Sequence, residues 1–104
     1  MAIRNLDRLF NPRRIALIGV TPNPQSVSGK LLSNLVGSFR GVVYPVNATS
    51  ESVLGMPCFP NLAALPKTPD LAVICTAAEQ VPAHVRECGK AGIMALVVVS
   101  AGFR

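Results

Sequence analysis

Four stretches of the chain are apolar at consecutive positions rather than alternate ones: Ile15 to Val20, Val42 to Val46, Leu71 to Thr76 and Ile93 to Ser100. Runs such as IALIGV, LAVICT and IMALVVVS, rich in β-branched residues and bounded by Gly, Pro and Asn, suit strands covered on both faces, the condition of a parallel sheet. Between them the spacing changes. In SGKLLSNLVGSF, Ser28 to Phe39, the residues Leu31, Leu32, Leu35, Val36 and Phe39 fall on one face of a helix, with Ser26 or Ser28 as its cap. In EQVPAHVRECGKA, Glu79 to Ala91, the apolar stripe is Val81, Val85 and Cys88. Pro82 falls in the first turn, where helices accept proline, and Gly92 stands where the helix must stop. A further helix is predicted near Leu6 to Phe10 and a short one near Asn61 to Leu65. Strand alternating with helix in this way predicts an α/β fold: a Rossmann-like, doubly wound parallel sheet in three αβα layers.

That fold says where chemistry belongs. Ligands of doubly wound sheets bind beyond the carboxyl ends of the strands, near the point where strand order reverses. The sequence changes character at each of those places. After the first strand comes GVTPNPQSVSGK, where Gly19 lets the chain turn and Ser26, Val27 and Ser28 lead into a helix. Helix-terminal N–H groups and hydroxyls can make a site for phosphate oxygens, to which Lys30 can add a charge; the alternative reading of the same residues is a plain surface turn. Counting from Gly19, Thr21 and Pro24 occupy the places of the second and third glycines of GxGxxG, and no GK[ST] is present, so neither dinucleotide nor Walker A fingerprint applies. The second strand runs into Asn47 instead of the acidic residue that would take an NAD ribose, the nearest carboxylate being Glu51. Small residues follow the third and fourth strands, in CTAAEQ and SAGFR, and permit close approach by a ligand.

Composition narrows the classes. The chain has 104 residues, half of them hydrophobic and 14% charged, enough for one packed core. Its net charge of +5 favours an anionic partner, but the basic residues are dispersed and there is no Trp, which argues against a nucleic-acid platform; a phosphorylated small molecule fits the charge as well. Cys58, Cys75 and Cys88 have neither zinc-ribbon nor CxxC spacing and read as reduced thiols of a cytoplasmic protein. The longest apolar stretch is too short to span a bilayer, and the N-terminus lacks a signal-peptide apolar block, so no membrane role is expected.

The succession RIALIGVTPNPQSVSGKLLSNL, GVVYPVNATSESVLGMPCFPNLAALP and PDLAVICTAAEQVPAHVRECGKAGIMALVVVSAGF resembles the N-terminal CoA-binding domain of the NDP-forming acyl-CoA synthetases, from Leu6 to Phe103. That family includes ADP-forming acetyl-CoA synthetase, the α-subunit of succinyl-CoA synthetase and bifunctional acetyltransferase relatives. The resemblance implies that Gly19, Thr21, Ser26, Val27, Ser28 and Lys30 form the CoA phosphate loop. It sets Asn47 beside the nucleotide, with Thr76, Ala77, Ser100, Ala101, Gly102 and Phe103 facing the crevice. CoA or an acyl-CoA is the implied ligand. The sequence departs from the family pattern at Val20 and Thr21, which replace Ala-Ser, at Ala48, which replaces Pro, at Ala77, which replaces the Pro of Thr-Pro-Ala, and at Ser28, which replaces Gly.

The resemblance further implies a single domain, 1–104, stopping about one helix and strand short of the family's module, as a fragment of a longer ligase. The catalytic histidine and a nucleotide-grasp region would lie on other domains or subunits. The chain itself shows no catalytic set: His84, the only histidine, reads as a surface or partly buried helix residue, Cys75 as a buried inert thiol, and Asp70 and Glu79 as capping residues. Arg13 and Arg14 fall at the sheet end opposite the crevice. Alternatives to the CoA module are an NAD(H)-binding regulatory domain and a ligand-free scaffold that docks a subunit.

Overall fold

The computed structural model describes residues 12–21, 23, 25–49 and 51–99. The predicted helix near Leu6 to Phe10 lies outside them. The elements follow in the order β1 (Arg14–Ile18), α1 (Val27–Ser38), β2 (Val42–Val46), β3 (Ser52–Val53), β4 (Met56–Pro57), a 3-10 turn (Leu62–Ala64), β5 (Leu71–Ile74), a second 3-10 turn (Ala78–Gln80), α2 (Val81–Ala91) and β6 (Ala95–Val98). Four strands make one parallel sheet in the order β2-β1-β5-β6. From β1 the chain first moves outward to β2, then crosses back over β1 to start β5 and proceeds the other way. Strand order therefore reverses between β1 and β5, as a doubly wound sheet requires.

Alternation along the strands builds the two faces. Ile15 and Leu17 of β1 and Leu71 of β5 pack with Leu31, Leu32, Leu35 and Phe39 of the α1 layer. Ala16 and Ile18, with Ala72 and Ile74, pack against Cys88, Val81, Leu62 and Leu65 on the opposite side. Leu17 and Leu32 are fully buried. A buried leucine of this kind stabilises the fold by roughly 2–5 kcal/mol relative to alanine. Two residues of the predicted helix stripes do not join in: Val36 is 56% and Val85 37% exposed, because each sits on the shoulder of its apolar face.

The ends of the elements carry their own explanations. Ser26 caps α1, its Oγ accepting from Gly29 N–H at 3.0 Å. Gly92 closes α2 in the left-handed region at φ 84°. At the start of the sheet, Asp70 Oδ2 accepts from the N–H groups of Arg13 (2.9 Å) and Arg14 (3.2 Å), fastening the head of β1 to that of β5. The strands are shorter than the apolar runs. Val20 and Cys75 pack beyond their strands' ends, and Ile93 is spent on closing α2, its N–H donating to Cys88 O. The expected short helix is the 3-10 turn Leu62–Ala64, capped by Asn61 Oδ1 at 3.0 Å from Ala64 N. Pro45 is tolerated in β2 because that strand lies at an edge of the sheet.

Candidate ligand-binding site

At the carboxyl ends of β1, β2 and β5 lies an open crevice of about 830 Å³. It stands where strand order reverses. Gly19 makes it possible: its φ of +86° turns the chain off β1, and its N–H donates to Val46 O at 3.2 Å. A Cβ there would lie 2.5 Å from Thr76 Cγ2 and 3.2 Å from the Cys75 carbonyl carbon. The turn after β1 and the end of β5 thus touch, which only glycine allows.

The loop between Gly19 and α1 is closed on itself by its hydroxyls. Thr21 Oγ1 donates to Ser26 Oγ at 2.9 Å, and Thr21 N–H donates to Ser28 Oγ at 3.1 Å. Ser26 Oγ donates in turn to Asn23 O at 2.7 Å and lies 3.3 Å from Ser28 Oγ. Asn47 braces the other wall. Its Nδ2 donates to Val20 O at 2.6 Å, while Oδ1 accepts from Thr49 N–H (2.7 Å) and Thr49 Oγ1 (3.0 Å).

Of the sequence-predicted residues, the structure brings Gly19, Thr21, Asn47, Thr76 and Ala77 together around the crevice. Ser26, Val27, Ser28 and Lys30 do not line it. Ser26 and Ser28 stand behind Thr21 and hold it, and Val27 and Lys30 are exposed on the first turn of α1. Ser100, Ala101, Gly102 and Phe103 lie outside the described residues. The sequence reading missed Thr49, Pro60, Cys75 as a wall residue, and the side presented by Glu79, Gln80, Ala83 and His84. The signal for the last group was available: positions 80, 83 and 84 share one face of a helix that starts directly after a strand end. Glu79 makes no capping bond; the second 3-10 turn has Ala77 at its cap position and no side-chain cap.

Two features describe the chemistry. Thr76 Oγ1 is buried at the mouth of the switch point and has no hydrogen-bond partner among the described residues, a costly state for a hydroxyl unless something else satisfies it. Burial pushes the Cys75 thiol up to about 11, so it stays protonated and unreactive at neutral pH. No group of three or more His, Cys, Asp or Glu among the described residues could hold a metal ion. No helix among the described residues is long and apolar enough to cross a membrane.

A model of the CoA binding domain matches residues 13–104. The chain belongs to the CoA-binding domain family. It is 40% identical over 99 residues to acetate–CoA ligase [ADP-forming] I of Archaeoglobus fulgidus, the match covering 95% of this chain and 14% of that protein. It is 37% identical over 98 residues to the α-subunit of acetate–CoA ligase [ADP-forming] II of Pyrococcus furiosus, covering 94% of this chain and 21% of the subunit. Among solved structures, the dinucleotide-forming acetyl-coenzyme A synthetase 1 of Candidatus Korarchaeum cryptofilum superposes with a TM-score of 0.87 at 38% identity, over 94% of this chain and 22% of that one. The chain therefore spans less than a quarter of the length of these relatives. Membership of the CoA-binding family disfavours the NAD(H) reading, and the residue ending β2 agrees: Asn47 holds Val20 and Thr49 where a dinucleotide site would place a carboxylate.

Proposed function

We propose that the crevice holds the phosphorylated nucleotide end of CoA, and that the module serves an ADP-forming acyl-CoA ligase whose catalytic histidine and nucleotide-handling parts lie on other domains or subunits. The observation that carries this reading is the orphaned Thr76 Oγ1 beside the Gly19 turn. A buried hydroxyl without a partner among the described residues, at the place where doubly wound sheets bind ligands, is suited to a phosphate or ribose oxygen. The volume, about 830 Å³, is in the range of a nucleotide-sized site. Gly19, Thr21, Asn47, Thr76 and Ala77 supply the walls, and Lys30 on the first turn of α1 adds positive charge nearby. Bound CoA would bring the thiol that accepts an acyl group; these residues bind and orient it and perform no bond-making of their own.

Calorimetric titration of the chain with CoA, ADP and NAD tests this. Saturable binding of CoA in preference to NAD is expected. Thr76→Val, which keeps the shape and removes the hydroxyl, should weaken CoA binding by about tenfold, the value of one hydrogen bond to a charged group. Binding of NAD in preference to CoA, or the absence of any ligand effect on the melting temperature, would overturn the reading.

A further inference from the structure

For a site that takes phosphate esters, the crevice is short of positive charge. None of its lining residues is Lys or Arg. The ionisable groups on its walls are Glu79, His84 and Cys75, and burial keeps the last of these neutral. His84 is thus the one lining group, among the described residues, that can become a cation.

Its setting suits that part. Ala83 and His84 of α2, with Gln80 of the turn that leads into it, line the crevice. His84 Nδ1 lies 3.2 Å from Glu87 Oε1, one turn further along the helix. That contact orients the ring and leaves Nε2 as its second polar atom. In the neutral ring Nδ1–H donates to the carboxylate and Nε2 is an acceptor, which repels phosphate. In the charged ring Nε2–H is a donor, which attracts it.

We propose that His84 is the affinity-determining cation of the crevice, donating from Nε2 to a phosphate oxygen of the bound ligand and making recognition stronger as pH falls. This rests on the reading of the crevice as a CoA site. Among the described residues, the groups that face His84 are few. Glu87 comes from its own helix and Glu79 from the turn before it. The 3-10 turn Leu62–Ala64, packed on α2, carries no ionisable side chain, and the ends of β1, β2 and β5 contribute only the neutral Cys75. Arg86 and Lys90, on the same helix, do not line the crevice. With the imidazole neutral this wall carries only the negative charge of the two carboxylates. Protonation offsets it, so the charged form binds the anion better, and binding in turn favours the charged form. Affinity therefore rises as pH falls over the range in which the charged form gains population.

The probe is dephospho-CoA, whose pyrophosphate has no group titrating in that range, with CoA as the reference ligand. Between about pH 8 and pH 5.5 the affinity of the chain for dephospho-CoA should rise by roughly fivefold to tenfold. In His84→Gln, a helix-compatible change at a partly exposed position, the response should be flat at the level seen for the unchanged chain at high pH. Glu87→Gln, which removes the neighbouring carboxylate and keeps the imidazole, should keep the response. A flat response in the unchanged chain while binding persists, or an undiminished slope in His84→Gln, would overturn the proposal and leave the CoA reading intact. Failure of both CoA and dephospho-CoA to bind at any pH would instead overturn the CoA reading, and this inference with it.

Discussion

The two ends of the sheet each carry a cavity, and they differ in a way that separates charge from recognition. The crevice at the carboxyl ends has glycine, hydroxyls, an amide and no Lys or Arg; the cavity at the amino ends, about 620 Å³, is lined by Pro12, Arg13, Ile15, Ser38, Phe39, Arg40 and Gly41. Net charge alone would send an anion to the second. On the proposed reading, unmet hydrogen bonding sends it to the first. At the amino ends the backbone groups and the serine hydroxyl already have partners: Asp70 takes the N–H groups of Arg13 and Arg14, Arg13 O accepts from Val42 N–H, and Ser38 Oγ donates to Asn34 O at 2.7 Å. Arg40 follows the carboxyl end of α1, where the helix dipole favours a cation regardless of any ligand. At the other end Thr76 Oγ1 has no partner among the described residues. Unmet hydrogen bonding, more than charge, distinguishes a site from a solvated edge.

The strongest way to break this comparison is to fill the glycine at each end. Gly19→Ala places a Cβ against Thr76 in a left-handed backbone, and should cost about 2–4 kcal/mol of stability from strain and overlap together. It should also weaken CoA binding by about tenfold or more, because the β1 turn must lift away from Thr76. Gly41→Ala meets a still less yielding neighbour, the backbone oxygen of Arg13, with the Phe39 ring beside it. Its stability loss should be as large, about 2–4 kcal/mol, but CoA affinity in the folded protein should not change. Chemical denaturation with parallel calorimetry separates the outcomes; equal losses of affinity in both variants would erase the distinction between the two ends.

A smaller effect sharpens the picture of a dry floor beneath the crevice. Burial pushes Cys75 up to about 11, and burial followed by the charge of Glu87 does the same to Cys88, against an ordinary value of 9.0. Both thiols are raised in the folded state, so their contribution to stability is complete below pH 9.0 and is lost as pH climbs toward 11. The loss should be on the order of 1–2 kcal/mol per thiol. A melting temperature followed across that window should fall, and Cys75→Ala should remove part of the fall. A level curve would mean that water reaches these thiols.

Much of this was legible in the sequence, and the illegible parts share a cause. The four parallel strands, the Ser26 cap and the Gly92 stop are local or periodic signals, and they predicted the switch-point location of the crevice. The hairpin of β3 and β4 was not foreseen: its strands have two residues each, and its turn places Leu54 at φ 51° ahead of Gly55, where Asn or Asp would have signalled the turn. The phosphate-loop reading picked out hydroxyls whose hydrogen-bond partners it did not foresee. Thr21, Ser26 and Ser28 bond among themselves, because a short loop entering a capped helix brings them within reach of one another. His84 was set aside as a helix residue because the rotation of α2 against the sheet is decided by long-range packing of Cys88 and Val81, which no local pattern encodes.

The smallest expected effect tests the comparison from the other side. Replacing Arg13 and Arg40 together by Ala removes both guanidiniums of the amino-end cavity and changes the net charge from +5 to +3, by loss of two positive charges. Because the crevice lies at the opposite end of the strands, its ligand feels these charges only through solvent, where screening weakens interactions beyond about 10 Å at moderate salt. The affinity for CoA should therefore stay within about twofold at ordinary ionic strength, with a modest fall in association rate that disappears as salt is added. A loss of tenfold or more would place an anionic part of the ligand among the arginines, and the unmet hydroxyl of Thr76 would then need another explanation.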